Sequence, residues 1–115
     1  MRDYKKYDVW KLGHELTLDI YSITEKYPKT EKYRIVDQMC RSAYSIPSNI
    51  VEGCGRESDA EFKHYLIMSR GSANELEYFL ILSKDLGILV DKEFDQLFDK
   101  ANRIVRSLTN LIKKL

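Results

Sequence analysis

Apolar residues recur in steps of three and four along most of the chain, a spacing that places them on one face of an α-helix. Four segments show it. The first covers about 9–26, ends at Pro28, and carries Val9, Leu12, Leu16, Ile20, Ile23 and Tyr27 on its apolar face. The second covers about 31–52 and carries Val36, Met39, Ala43, Ile46 and Ile50. Both predict amphipathic helices.

The other two segments also carry signals for their ends. The third opens at Ser58, where the run SDAE (58–61) is typical of a capping box, and Gly87 predicts its end. Its apolar face consists of Phe62, Leu66, Ser69, Ala73, Leu76, Leu80 and Ser83. The fourth follows Asp91, a predicted N-cap. Its apolar face consists of Phe94, Leu97, Ala101, Ile104, Leu108, Leu111 and Leu115.

The connections between these segments are short, about three to six residues, which forces neighbouring helices to run antiparallel. No β-type alternation or repeat competes with the helical spacing. The sequence therefore predicts an all-α fold, an up-down-up-down antiparallel four-helix bundle, in a single domain covering residues 1–115.

Pro47 interrupts the apolar pattern of the second segment. A proline inside a helix has no N–H to donate and crowds the carbonyl four residues earlier, here that of Ala43, at a local cost of about 3 kcal/mol. We expect the helix to bend within a turn of Ala43 around the core. Ser45, Ser48 or Asn49 is expected to bond to local backbone groups.

The composition is that of a small folded domain, with 43% hydrophobic residues, 32% charged residues and a net charge of +1. The longest apolar run, residues 78–82, is too short to cross a bilayer. The start MRDYKKYD has no apolar stretch behind it, so no secretory signal is expected. Cys40 and Cys54 are too few for a disulfide framework. We expect a cytoplasmic protein with reduced thiols and no membrane partner.

Several runs closely resemble a bacterial family encoded within intervening sequences of 23S ribosomal RNA genes. They are VWKL near the start, IYSITEKYPKTEKYRIVDQ (20–38), QMCRSAYSIPSNIVEGCGRES (38–58) and EFKHYLIMSRGSANELEYFLILSKDLG (61–87). The resemblance implies a four-helix bundle similar to the accessory subunit of diversity-generating retroelements. It also implies a ring-shaped homopentamer with a role in binding RNA or DNA. Where the family commonly has two adjacent arginines, this chain has Cys40-Arg41, so half of that basic pair is missing.

Residues that could carry catalysis or hold a metal are sparse. Glu61 and His64 have the spacing of a di-iron ligand pair, but such bundles need two pairs and two further glutamates. His14-Glu15 lacks the second histidine of a zinc-protease motif. No cysteine or serine stands in a recognisable nucleophile motif, and Cys40 is expected to be a small buried hydrophobe. The sequence predicts no enzyme, no metal and no cofactor.

A second apolar stripe on the third helix is rotated away from its core face. The stripe consists of Ile67, Gly71, Asn74, Tyr78 and Ile81. Trp10, Leu18, Tyr21 and Tyr44 also lie off the core faces. Contiguous exposed apolar surface usually marks an interface, which predicts self-association through the stripe. The alternative is that the third helix is simply the most buried one.

Basic residues gather toward one end of the predicted bundle. That end brings together Lys5, Lys6, Lys11, Arg56, Arg106, Lys113 and Lys114, with Arg103 nearby, while Arg34 and Arg41 form a second ridge on the second helix. Part of this polarity complements the dipole of the fourth helix, whose start is acidic. In an oligomer, a small excess per chain multiplies into a field that attracts phosphate. We therefore expect an oligomeric, non-enzymatic bundle that binds RNA or DNA, and the alternative is a protein–protein adaptor whose charges only give solubility.

Overall fold

The chain folds into four α-helices in a computed structural model that describes residues 2–115. They are α1 (Asp8–Thr24), α2 (Asp37–Cys54), α3 (Asp59–Asp85) and α4 (Asp91–Lys113). A 3-10 turn (Tyr4–Lys6) precedes α1, and a second 3-10 turn (Lys29–Glu31) followed by a π-helical segment (Lys32–Val36) leads into α2. The predicted all-α class is confirmed. None of the helices among the described residues combines the length and apolar character needed to cross a membrane.

Neighbouring helices run in opposite directions, as their contacts show. Between α2 and α3, Ser42 donates to Glu75 while Ser69 donates to the Ile46 carbonyl at 2.8 Å, so later residues of one helix meet earlier residues of the other. The same reversal relates α3 to α4, where the bonded pairs are Arg70 with Thr109 and Glu77 with Asn102. The contacts are those of an up-down-up-down bundle, 43 Å long.

Ser58 is the N-cap of α3 as predicted, but Glu61 reaches back to its hydroxyl and not to its backbone N–H as in a full capping box. The Ser58 hydroxyl accepts from the Glu61 backbone N–H at 3.1 Å and donates to the Glu61 carboxylate at the same distance. Gly87 has a φ of +76°, and the Ile88 N–H bonds to the Ser83 carbonyl at 2.9 Å. This is a Schellman ending, which glycine permits because it carries no Cβ. Every predicted core position of α3 is buried.

At both ends of α4 the sequence prediction is wrong by one position. Val90, in extended conformation, is the N-cap, and Asp91 is the first helical residue, where its charge still meets the helix dipole. Near the other end, Ile112 is buried, whereas Leu111 is half-buried and Leu115 is exposed. Leu111 lies three residues and Ile112 four residues after Leu108, and both steps fit a helical core face. Spacing alone therefore could not decide which of the two is buried.

The start of α2 also differs from the prediction. The helix proper begins at Asp37 and not near Glu31, since the preceding segment is π-helical. This segment places Ile35 in the core and leaves Val36, the predicted core residue, half-buried. A π-helical turn is wider than an α-turn, so the face that residues present to the core shifts by one position.

Pro47 is buried inside α2, and the helix continues through it. The Ala43 carbonyl, which has no proline N–H to accept from, lies 3.1 Å from the Thr17 hydroxyl of α1. The same hydroxyl lies 2.8 Å from the Gly13 carbonyl of its own helix, so the two carbonyls share its one proton. The Asn49 side chain donates to the Ser45 carbonyl at 2.8 Å, which confirms the predicted local bonding for Asn49. A shared hydrogen bond from another helix therefore takes the place of the one that proline removes. The predicted bend stays a prediction.

Two glycines let the neighbours of α2 approach closely. A Cβ at Gly13 of α1 would lie 3.0 Å from the Ile46 side chain, and a Cβ at Gly53 of α2 would lie 2.9 Å from the Cβ of Tyr65. Both separations are shorter than or at the limit of ordinary contact, so a larger residue would push the helices apart. Ile46 is fully buried at the centre of this arrangement.

Candidate functional site

The end of the bundle that holds the starts of α1 and α3 collects most of the predicted basic residues. This basic end comprises Lys5, Lys6, Lys11, Arg56, Arg106, Lys113 and Lys114. Contacts join its parts, since Arg2 forms an ion pair with Asp59 of α3 and a surface cavity is lined by both Tyr7 and Lys114. The antiparallel topology is the reason that residues so far apart in sequence share one end.

Only some of these cations are free to meet a ligand. Arg56 bonds to Glu52 at 3.4 Å and to the Tyr65 hydroxyl at 2.7 Å, and Lys11 lies 3.9 Å from Asp8. Of these seven residues, the exposed cations without an ion pair to the rest of residues 2–115 are Lys5, Lys6, Arg106, Lys113 and Lys114. They come from the 3-10 turn before α1 and from the last turns of α4.

The other predicted basic residues lie away from this end. Arg34 pairs with Glu31 at 3.5 Å and Arg41 pairs with Asp37 at 3.3 Å, so the second basic ridge consists of two local ion pairs. Arg103 lies nearer the middle of α4, away from the basic end, and lines cavities between α1 and α4. The structure therefore does not unite these three side chains with the basic end.

Two cations at the basic end are missing from the sequence prediction. Lys63 is exposed in the first turns of α3, and the predicted topology alone would have placed it there. The Arg2 guanidinium lies 4.1 Å from the centre of the Phe62 ring and pairs with Asp59, a residue 57 positions away. No local sequence pattern predicts a contact between residues so far apart in the chain.

Two ion pairs of Lys100 join α4 to α1, so this cation is not free to bind a ligand. Lys100 lies 2.7 Å from Glu15 and 2.5 Å from Asp19. Its hydrogen bond and charge hold the pKa of Glu15 below its ordinary value. Partial burial works against the charge of Lys100, but the hydrogen bonds to Asp19 and Glu15 outweigh it and raise the pKa of the amine. Lys100 is thus a structural link between helices.

All five residues of the predicted α3 stripe lie on the exposed side of the helix. Tyr78 is 57% exposed, Ile67 41% and Ile81 40%, so the bundle itself does not bury them. Asn74 is exposed, and no atom comes within 4 Å of the position that a Cβ on Gly71 would occupy. The stripe is therefore an uncovered apolar surface in one copy of the chain.

A second exposed apolar surface lies on the outside of the α1–α2 pair. This outer face comprises Leu18, Tyr21, Tyr44 and Val51, all exposed. Tyr21 of α1 and Cys40 of α2 line one cavity on the seam, and Tyr44 is one turn beyond Cys40 on the same side of α2. The α3 stripe instead borders α4, to which its neighbours Arg70 and Glu77 bond. The two apolar surfaces thus lie on different sides of the bundle.

The cysteines and histidines offer no assembled chemical site. Cys54 is the buried cysteine, and burial raises the pKa of its thiol, whereas Cys40 is only half-buried, contrary to the prediction. His14 stacks in parallel on Trp10, and His64 is exposed on α3. Within residues 2–115, no three side chains of metal-ligating type lie close enough to share an ion.

An antiparallel helical bundle with a basic end and two uncovered apolar faces defines a small all-α protein. The chain belongs to the 23S rRNA-intervening sequence protein family, whose model matches residues 5–110. It is similar to a crystal structure of a protein of unknown function from the S23 ribosomal protein family of Bacteroides thetaiotaomicron, with 25% identity, 91% of this chain and 98% of that chain covered, and a TM-score of 0.83. A comparison with curated proteins found no match. The predicted family is confirmed.

Proposed function

We propose that this protein is a non-enzymatic, oligomeric bundle that binds RNA or DNA through the unpaired cations of its basic end. The observation that carries the proposal is the convergence of Lys5 and Lys6 with Lys113 and Lys114, from opposite ends of the described chain, without acidic partners. Flexible exposed lysines of this kind contact phosphates and carry little base information. Binding is therefore backbone-directed and of low sequence preference.

Self-association supplies the strength that one copy lacks. The chain has a net charge of only +1, so its attraction for a polyanion depends on several basic ends acting together. Each copy presents two unlike apolar surfaces, the α3 stripe and the α1–α2 outer face, on different sides. Packing the stripe of one copy against the outer face of the next is a heterologous contact, which closes into a ring when the rotation allows. A homopentamer is the ring that the family resemblance favours.

The nucleic-acid proposal is tested by removing charge at one end and comparing with the other. Replacing Arg106, Lys113 and Lys114 with glutamine removes three free cations, and the matched control replaces Lys29, Lys32 and Lys92, which are exposed near the opposite end. We expect the first variant to bind unrelated RNAs more weakly by similar factors, and the slope of log affinity against log salt to flatten by about 0.7–0.9 per lost phosphate contact.

Equal binding by both variants and wild type would overturn the basic-end proposal. Suppose that the protein binds a protein partner at high salt and loses it only when an apolar face is mutated. That result would favour the alternative, a protein–protein adaptor. The two uncovered apolar faces are the observation that supports this second candidate.

The assembly is tested with a buried-charge substitution in the α3 stripe. Tyr78→Asp is expected to reduce the mass measured by light scattering to that of one chain, with helical content unchanged by circular dichroism. Tyr33→Asp is the matched control, because Tyr33 is 86% exposed and belongs to neither apolar surface. A wild-type protein that is monomeric at micromolar concentration would contradict the assembly.

A further inference from the structure

The residues before α1 pack across the junction of α2 and α3. In this segment, residues 2–6, the Arg2 guanidinium lies over the Phe62 ring at 4.1 Å and pairs with Asp59. Asp3 accepts from the Lys5 backbone N–H at 3.1 Å, which fixes the 3-10 turn. The Tyr4 ring meets Trp10 edge-on at 5.0 Å. The segment thus has a defined resting place held by a few side chains.

The segment stands over two buried groups of the core. Cys54 and Phe62 are each only 1% exposed. A surface cavity of about 440 Å³ is lined by Arg2, Asp3 and Tyr4 of the segment and by Val51, Cys54 and Gly55 at the end of α2. The space on this side of the segment is open, so the packing that the segment must leave is that of Arg2 on Phe62 and of Tyr4 on Trp10. Its displacement would admit solvent to the Cys54 thiol.

The ion pair that anchors Arg2 is easily exchanged. The Asp59 side chain is 71% exposed, and an ion pair so open to water contributes little and weakens with salt. The segment is itself cationic, since Lys5 and Lys6 are exposed beside Arg2 and only Asp3 opposes them. A polyanion drawn to the basic end therefore competes directly with Asp59 for the guanidinium.

We propose that residues 2–6 are a latch that nucleic acid opens: phosphate takes Arg2 from Asp59, the segment lifts, and the surface around Cys54 and Phe62 becomes accessible. This inference rests on the proposed nucleic-acid binding. The newly exposed surface adjoins Val51, which belongs to the α1–α2 outer face. Binding at the basic end thereby changes the shape of an apolar surface proposed for assembly.

The latch is tested first without any ligand, through the rate at which N-ethylmaleimide labels Cys54, with Cys40 as an internal reference. Arg2→Gln is expected to raise the Cys54 rate about tenfold, the factor given by losing one cation–π contact and one exposed ion pair, and to leave the Cys40 rate unchanged. Asp59→Asn removes only the ion pair and gives a smaller increase. Lys92→Gln makes the same charge change at an exposed residue of α4, away from the segment, and keeps the wild-type rate.

The second measurement adds a short RNA stem-loop to wild type and records binding and labelling in the same sample. Bound RNA is expected to raise the Cys54 rate in wild type and to add nothing in Arg2→Gln, whose latch is already open. RNA that binds without changing the Cys54 rate would overturn the latch and leave the proposed function intact. RNA that does not bind would remove the proposed function and the latch's opening ligand together. Parallel increases at both cysteines would indicate general unfolding and also reject the latch.

Discussion

The seams that α2 makes with α1 and α3 are built differently from the seam that closes the bundle between α1 and α4. Along α2, Thr17 and Ser69 donate to carbonyls of the helix, and Gly13 and Gly53 allow the backbones to approach. Between α1 and α4 the surface is grooved, with three cavities of about 460, 360 and 220 Å³, and Lys100 reaches across to two carboxylates. The α1–α2 seam has one cavity of about 350 Å³, near Tyr21 and Cys40. Small and hydroxyl-bearing residues give close packing, and long charged residues span a gap.

This difference predicts where the stability of the bundle is concentrated. A buried hydroxyl whose loss would leave a carbonyl unpartnered stabilises by about 1–3 kcal/mol, while an exposed ion pair contributes about 0.2–1 kcal/mol. Packing adds to the contrast, because a side chain at a grooved seam already borders solvent. We therefore expect substitutions at the α2 seams to lower the free energy of unfolding more than substitutions at the α1–α4 seam.

The largest effect is expected from truncating isoleucine on the two sides. Ile46→Ala removes a fully buried side chain and is expected to lower the free energy of unfolding by about 2–5 kcal/mol. Ile23→Ala makes the same change where the side chain lines the α1–α4 groove, and about 1 kcal/mol is expected there because water already reaches the site. Urea denaturation at one fixed protein concentration measures both, and equal losses would refute the contrast.

Glycine-to-alanine substitutions sharpen the comparison with opposite signs. Gly53→Ala places a Cβ 2.9 Å from the Tyr65 Cβ and 3.2 Å from the Phe62 ring, so a loss of about 1–3 kcal/mol is expected. Gly71→Ala meets nothing within 4 Å and improves helix propensity, so a gain of about 0.5–1 kcal/mol is expected. The midpoint of urea denaturation measures both changes. If Gly53→Ala stabilised the protein, close packing at the α2–α3 seam would be disproved.

A pair of threonines isolates the bond that replaces the missing proline N–H. Thr17→Val is expected to cost about 1–2 kcal/mol, because the Ala43 carbonyl loses its partner inside the core. Thr24→Val removes a hydroxyl that bonds to the Ile20 carbonyl of its own helix and meets α2 only at the Cys40 sulfur, 3.7 Å away. Because sulfur is a weak hydrogen-bond partner, about 0.5 kcal/mol is expected. Urea denaturation of the two variants, compared by their free energies of unfolding, checks this. Similar losses would mean that the Thr17 bond has no special role.

The smallest effect is expected at the α1–α4 ion cluster. Lys100→Met is expected to cost below about 1 kcal/mol near neutral pH, and less at high salt. Because the pKa of Glu15 is lowered, its contribution is present above about pH 4.5 and is lost as the pH falls through its value in the folded state. Because the pKa of Lys100 is raised, its contribution is present below about pH 10.5 and is lost above its folded value. Denaturation across pH should show a flatter acid limb in the variant, and an unchanged limb would contradict the coupling.

The parts of the fold that depend on local chemistry were predictable from sequence. The α3 core face, its Ser58 cap and its Gly87 ending all rest on residues within a few positions of one another. The Arg41–Asp37 and Arg56–Glu52 ion pairs were predictable too, since an acid four residues before an arginine on a helix is a recognised pairing signal. That spacing predicts that Arg41 and Arg56 are already paired with acids on their own helix.

Contacts between helices were not predictable in the same way. Thr17 bonds to Ala43 from 26 positions away, and Arg2 stacks on Phe62 from a segment with no periodic pattern. In the candidate site, topology determined which end a lysine occupies, but partners determined whether it is free. That second property depends on three-dimensional neighbours, which spacing along one helix does not encode.

The bond between Thr17 and the Ala43 carbonyl has a consequence for how the chain reaches this structure. Helix α2 cannot complete its backbone bonding around Pro47 until α1 has docked beside it. As an isolated peptide, α2 would fray at its middle, so its folding is conditional on a neighbour. Native-state hydrogen exchange should therefore detect α1 and the centre of α2 as one cooperative unit that opens and closes together.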